Sequence, residues 1–314
     1  MRVAVTGASG FVGGAVCRAL LAAGHDVVGL ARRPRPAGLP AAVDFRRHDL
    51  AAGPAVGVPD VGAVVHAAAS VDDWAPLAQQ RPATVDGTRH ALASWPSARF
   101  VHVSTASVYP PWRRGVVRET DGPDGAHAGP YSEAKAEAET VVAQAVSSGR
   151  DAVVLRPHAV YGPGDPTLLP RLLDAVRVVR GRRVLVVPGW STTRVHLTSV
   201  ELLARACVAA VRSSGTGVVN VADAAPLPLA AALDQAFRAA TGEAPVRVHL
   251  PFPVALGLGT ALEAVARARG ASEPPLLTRY VVSHLAVSRE LDLTRLRRDL
   301  GVEPSPTDLR LVRP

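Results

Sequence analysis

"TGASGFVG", residues 6–13, decides the fold. It follows the apolar "RVAV" at once and leads into the helix-forming "GAVCRALLAAG". Gly7, Gly10 and Gly13 give G-x-x-G-x-x-G spacing, which allows a tight turn and lets backbone amides approach a pyrophosphate at a helix N-terminus. Alone, such a motif is equally a structural turn. Its place between a strand and a helix favours a dinucleotide site, with Ser9, Phe11 and Val12 as further candidate contacts.

Outward from that turn, valine-rich runs alternate with segments long enough to be crossover helices. "HDVVGLA", "VGAVVHAAA", "ARFVHVST" and "DAVVLRP" read as strands buried on both faces. The alternation predicts an α/β fold, a Rossmann-type doubly wound parallel sheet, with "GTGVVNVAD" as one later strand. From about Pro163 the pattern breaks into pieces punctuated by proline and glycine. There "LLPRLLDAVRVV", "PLAAALDQAFRAATG" and residues 261–268 and 276–285 read as helices. We expect 1–162, rejoined by about 195–222, to form the dinucleotide-binding domain. Residues 163–194 and 223–314 would form a smaller substrate-binding region.

A chain of 314 residues, 48% hydrophobic, can bury a large core. It opens without a basic-then-apolar leader, and no apolar run approaches about 18 residues, so neither secretion nor a membrane span is expected. Cys17 and Cys207 lack metal-ligand spacing, which predicts buried reduced thiols, a cytoplasmic protein and no metal. A net charge of +8 invites a nucleic-acid reading. Against it, the arginines are scattered among acids and prolines, with no zinc-finger, basic-zipper or RNA-binding aromatic pattern. No nucleic-acid partner is expected, and an anionic cofactor accounts for part of the basicity.

The end of the second strand chooses the cofactor. An acid there would bind the adenosine ribose hydroxyls and favour NAD(H). This chain has Ala31, Arg32 and Arg33 instead, and arginine pairs with a 2′-phosphate through charge-assisted bonds. NADP(H) is therefore expected over NAD(H); two solvated loop arginines are the alternative.

"YSEAK", residues 131–135, carries the only lysine of a chain with 34 arginines. A position that keeps lysine against such a bias needs a compact ammonium rather than a planar fork. Tyr131 and Lys135 are four apart and share a helix face, and the following "AEAETVVAQAV" supports the helix. An ammonium beside a phenol lowers its pKa from about 10, which would make Tyr131 a general acid/base. A surface helix with an incidental tyrosine and lysine is the plain alternative.

With "TGASGFVG", "VVHAAA", "VSTASVY", "YSEAK" and "LRPHAVYGPGD" in this order, nearly the whole chain resembles the extended short-chain dehydrogenase/reductase superfamily. The resemblance implies that Thr105 bonds the substrate oxygen and that Tyr131 is the proton donor or acceptor. Lys135 would bind the nicotinamide ribose and lower the Tyr131 pKa. Asp49 and Leu50 of "HDL" match residues near the adenine, and Ala67, Ala68 and Ala69 line the cofactor. Pro157, His158 and Val160 fall in the segment beside the nicotinamide, and His66 reads as a packed strand-end histidine. One departure is Thr84, in "TVDGT", where the family often has the asparagine that helps hold a water near the lysine. Arg295 stands where lysine is common in the family, so lysine was let go there and kept at 135. A homodimer through two paired helices, one containing Tyr131, is also implied.

Three reactions follow from the resemblance. One is a ketone/alcohol oxidoreductase similar to the 3β-hydroxysteroid dehydrogenase and dihydroflavonol reductase branch, acting on a small-molecule carbonyl or alcohol. Another is a nucleotide-sugar epimerase or dehydratase, and the third a non-catalytic dinucleotide sensor. Thr105, Tyr131 and Lys135 together weigh against the sensor. Sugar-nucleotide members usually carry an arginine where this chain has Thr192, four residues before His196, although Arg194, Arg182 or Arg183 could substitute. Ala106 and Ser107 stand where elimination would need an acid pair. The reductase reading is therefore preferred, with Ser107, Trp74, Trp112 and Trp190 as substrate contacts on an apolar or polycyclic carbonyl. Asp72 and Asp73 either bind substrate hydroxyls or belong to a solvated turn.

Overall fold

The valine-rich runs become strands because branched side chains pack well on both faces of a pleated sheet. The computed structural model describes residues 1–123 and 125–311, so residues 312–314 of the expected substrate region lie outside the described residues. Seven parallel strands form the main sheet. From one edge they are Gly217–Val221, Ala152–Pro157, Arg99–Val103, Ala63–His66, Arg2–Thr6, Asp26–Ala31 and Asp44–Arg47. The order of the strands reverses between Arg2–Thr6 and Ala63–His66. In a doubly wound sheet, that reversal opens a crevice at the carboxyl ends.

Alternate side chains along each strand serve opposite layers. Val3, Val5, Val65, Val101, Val153 and Leu155 pack with helices Phe11–Ala22 and Val200–Arg212. Ala4, Val28, Val64, Phe100 and Val154 pack with Ala91 and Trp95 and with Val142 of helix Pro130–Ser147. Cys17 and Cys207 lie in the first layer as buried free thiols, each pushed up to about 12 by burial. A separate cluster gathers Tyr161, Leu185, Leu229, Phe237 and Leu309 around a three-stranded sheet of Arg177–Val179, Arg182–Pro188 and Val246–Leu250.

Three elements differ from the sequence-based expectation. Asp44–Arg47 is a strand that the reading misses, because an exposed edge strand of sequence "DFRR" carries no apolar run. The expected helix over "LLPRLLDAVRVV" stops at Asp174, and Arg177–Val179 turns back onto Arg182–Pro188. The cause is the two-residue link Arg180–Gly181, whose φ values of 49° and 76° make a hairpin turn with both central residues left-handed. Helix Phe252–Ala268 begins well before residue 261, since a proline in the first turn is tolerated and its glycines do not break it.

Helix Pro130–Ser147 is tied to the sheet by a buried ion pair. Arg156 donates to Glu139 at 2.6 and 2.9 Å, and the two side chains are 1% and 5% exposed. Ser104 also donates to Glu139, and the Tyr109 ring covers the Arg156 guanidinium at 4.7 Å. Removing one partner strands the other charge in a dry layer. Glu139→Gln should lower unfolding stability by about 3–5 kcal/mol in urea titration, and a loss under about 1 kcal/mol would contradict this anchoring role.

Candidate active site

The turn after Arg2–Thr6 is shaped so that only glycine fits. Gly7 has φ 71°, and a Cβ there would lie 2.9 Å from the Ala67 carbonyl carbon and the Ala68 nitrogen. At Gly13 a Cβ would lie 2.2 Å from the Gly7 oxygen, so the helix start presses directly on the turn. Ser9, Phe11 and Val12 lie along this same turn and are half-buried. Arg32 and Arg33 are exposed just past Asp26–Ala31, and an Arg33 guanidinium nitrogen lies 4.0 Å from the Cβ position at Gly10. Asp49 accepts the Ala51 N–H at 3.0 Å, closing the turn that also carries Leu50. Ala67, Ala68 and Ala69 follow Ala63–His66, and the backbone of Ala67 and Ala68 lies against Gly7.

A hydrogen-bond chain fixes that alanine stretch. The Thr88 hydroxyl donates to the Thr84 carbonyl at 2.7 Å, so it accepts from His66 Nε2 at 3.0 Å. His66 Nδ1 must then accept from Thr6 Oγ1 at 2.8 Å, and Thr6 Oγ1 accepts the Ala68 N–H at 3.2 Å. Burial, with Lys135 adding to it, holds His66 down at about 3, so the ring is neutral and structural. Thr84 sits in a π-helical turn, Pro82–Asp86, and its hydroxyl oxygen accepts the Ser70 N–H at 3.1 Å. These bonds leave the Thr84 hydroxyl hydrogen available for a water.

Thr105, Tyr131 and Lys135 meet at the carboxyl end of Arg99–Val103. Thr105 caps the short helix Ala106–Val108, accepting the Ser107 N–H and donating to the Ser107 hydroxyl, both at 3.2 Å. Tyr131 follows Pro130 in the first turn of its helix, and Lys135, one turn on, is 3% exposed with Nζ donating to the Val103 carbonyl at 2.7 Å. The electrostatics differ from the sequence expectation. Burial pushes the Tyr131 phenol up to about 12, while the neighbouring Thr105 hydroxyl acts to lower it and Asp73 to raise it. Burial brings Lys135 down to about 8 against the pull of Glu139. Lys135 is thus committed to a backbone carbonyl and does not depress the phenol.

Pro157 ends its strand, and His158 Nδ1 donates to the His196 carbonyl at 2.6 Å. Its Nε2 is therefore a lone-pair acceptor, buried and without a partner. Ala159 follows in the left-handed region at φ 43°, and Val160 opens a two-residue strand paired with Thr198. The glycine cradle and this orphan acceptor at the same sheet end fit a dinucleotide whose carboxamide presents an N–H.

Two residues that sequence reasoning missed complete the site. Helix Arg279–Leu285 sets the Tyr280 ring edge-on to Tyr131 at 6.2 Å, and the His284 ring lies 4.2 Å from Tyr280 and 5.3 Å from His158. Burial raises the Tyr280 phenol far above its ordinary range, against the lowering effect of the neighbouring Ser107 hydroxyl. Their spacing of four along an expected helix was the available signal. Trp74 lies beside the cleft, its Nε1 donating to Ala271 O at 2.9 Å under the Arg267 guanidinium. Trp112 instead packs on Phe252, and Trp190 is 58% exposed. Asp72 caps its own turn through Trp74 N–H, and Asp73 holds Arg171 through two bonds at 2.7 and 2.8 Å.

Residues 3–222 match the family described as NAD dependent epimerase/dehydratase. The chain belongs to that family, within the extended short-chain dehydrogenases/reductases. It is 32% identical to the 2-alkyl-3-oxoalkanoate reductase of Stenotrophomonas maltophilia, across 97% of this chain and 95% of that protein. It is also 32% identical to the 4-hydroxy-2-methyl-3-oxo-4-farnesyl-3,4-dihydroquinoline-1-oxide ketoreductase of Stigmatella aurantiaca, across 96% and 91% of the two chains. In fold it matches UDP-glucuronic acid 4-epimerase from Bacillus cereus, solved in complex with NAD, with a TM-score of 0.73 at 21% identity over 99% and 97% of the chains.

The cradle yields a direct test. Gly13→Ala would force the helix start off the Gly7 carbonyl and should weaken dinucleotide binding at least about tenfold in a fluorescence titration. Unchanged affinity would place the dinucleotide elsewhere.

Proposed function

We propose that the protein is an NADP(H)-dependent ketoreductase or secondary-alcohol dehydrogenase acting on an apolar carbonyl compound. The observation that carries this reading is the junction of Thr105, Tyr131 and buried Lys135 at the same carboxyl end of the sheet as the glycine turn. When bound, the nicotinamide would supply or take the hydride. Thr105 and Tyr131 would bond the substrate oxygen, and the phenol, protonated far above neutral pH, would give its proton as the carbonyl is reduced. Lys135 would turn to the ribose and Tyr131 once cofactor is present, keeping its positive charge near the transferred proton. Thr84 is suited to hold the relay water through its remaining hydroxyl hydrogen.

Arg33 over the glycine turn, with Arg32 beside it, supports a 2′-phosphate and hence NADP(H) over NAD(H). Two of the three arginines that could clamp a sugar diphosphate are engaged elsewhere. Arg194 donates to Pro226 O, and Arg183 reaches Thr241 and Glu243. Two reductase-named relatives of nearly full length support the reductase choice, and their names point to oxo compounds that carry an alkyl or a farnesyl group. The reading includes a cytoplasmic homodimer paired through the Tyr131 helix. It divides the chain into a dinucleotide part, 1–162 with 195–222, and a substrate part, 163–194 with 223–314. Trp74 and Ser107 are the better-placed substrate contacts; Trp112 and Trp190 would reach only a long substrate.

The test is absorbance at 340 nm with NADPH or NADH and a panel of 2-alkyl-3-oxo acids and other ketones. NADPH should be consumed in preference to NADH, and Tyr131→Phe should bind NADPH normally yet lose at least about a thousandfold in turnover. Because the phenol keeps its proton below its raised pKa, reduction should stay flat across neutral pH while oxidation of the product alcohol rises with pH. Wild-type turnover matched by Tyr131→Phe, or an inverted pH dependence, would defeat the assignment.

A further inference from the structure

Helix Phe252–Ala268 is built inside out. Between Phe252 and Arg267 its one charged side chain is Glu263, which is 8% exposed and accepts the Arg279 backbone N–H at 2.6 Å and Arg279 Nε at 3.0 Å. Its outer face shows Val254, Leu258, Leu262 and Val265, exposed by 54, 45, 37 and 46%. Steps of four, four and three place them on one stripe. A helix on a water-facing surface ordinarily turns its charges outward.

Cations bracket the stripe. At one end the half-exposed Trp112 stands edge-on to Phe252 at 5.5 Å, and the Arg114 guanidinium lies 5.5 Å from the same ring centre. At the other end Arg267 and Arg269 are exposed; of the nearby acids in sequence, Glu263 is buried against Arg279 and Glu273 lies in the segment that follows.

We propose that this stripe docks the protein on the surface of an anionic lipid bilayer, the helix lying in the headgroup plane with its arginines on lipid phosphates. An apolar stripe flanked by arginine and tryptophan is the pattern that binds there. No described helix is long and apolar enough to cross a membrane, so the contact is peripheral. A second copy fits this surface less well. Self-pairing would bring cationic ends together, and a stripe about 17 Å long on a helix about 10 Å wide covers roughly 170 Å², far short of the roughly 800 Å² per partner of a stable interface. Glu263 and Arg267 of the same helix line the cleft that includes Tyr280. A ketone on an alkyl tail would then enter from the bilayer side, a corollary that rests on the substrate reading above; the docking does not.

The test is co-sedimentation of the full chain with vesicles of phosphatidylglycerol and phosphatidylcholine in equal parts, and with phosphatidylcholine alone, without any substrate. The wild type should pellet with the anionic vesicles, and Leu258→Glu/Leu262→Glu should lose at least about tenfold in partition coefficient. Arg269→Ser should lose a few-fold, and Leu258→Gln gives the same reading if the double variant misfolds. Turnover of a short soluble ketone should be unchanged in these variants, which separates docking from catalysis. Three results would overturn the proposal: no pelleting of the wild type, equal pelleting of the leucine variants, or a lipid-free dimer that those variants dissolve.

Discussion

The buried pair of Glu139 and Arg156 sets the register on which the site depends. Arg156 belongs to Ala152–Pro157 and Glu139 to the helix of Tyr131, so their bidentate contact fixes how far that helix slides along the sheet. Tyr131, Lys135 and Glu139 follow at steps of four, one face of one helix. With Glu139 pinned, Lys135 reaches the Val103 carbonyl and Tyr131 comes level with Thr105. The pair matters less for net stability, since burying two charges is costly, than for allowing a single alignment.

Dehydration does the rest of the tuning. The same dry layer that raises the Tyr131 phenol and lowers Lys135 keeps His66 and His158 neutral, each with a fixed tautomer. His66 spends both nitrogens on threonines and so positions the alanine wall of the crevice. His158 has one nitrogen engaged and one waiting. That contrast separates a structural histidine from one suited to meet a ligand, although both sit at strand ends and look alike in sequence.

The sheet was legible because buried parallel strands must be continuously apolar, and the glycine turn because its spacing has few other uses. Lys135 stood out against 34 arginines. Asp44–Arg47 was hidden by its edge position, and the Arg180–Gly181 hairpin by a helix-like leucine pattern just before it. The phenol's direction of shift is not legible in the sequence, because spacing gives proximity but not burial, nor the carbonyl that captures the ammonium. Tyr280 and His284 reach the site through tertiary packing of a segment some 150 residues from Tyr131, a distance over which local pattern is silent.

The central claim is that hydride leaves the dinucleotide for good and ends on a substrate carbon. The most direct measurement is mass spectrometry of the product formed from a 2-alkyl-3-oxo acid with NADPH deuterated at C4, each face labelled in turn. The account predicts deuterium on the new carbinol carbon from one of the two labels, and none with Tyr131→Phe. Label retained in the dinucleotide after turnover of a nucleotide sugar, with no transfer to any ketone, would contradict it.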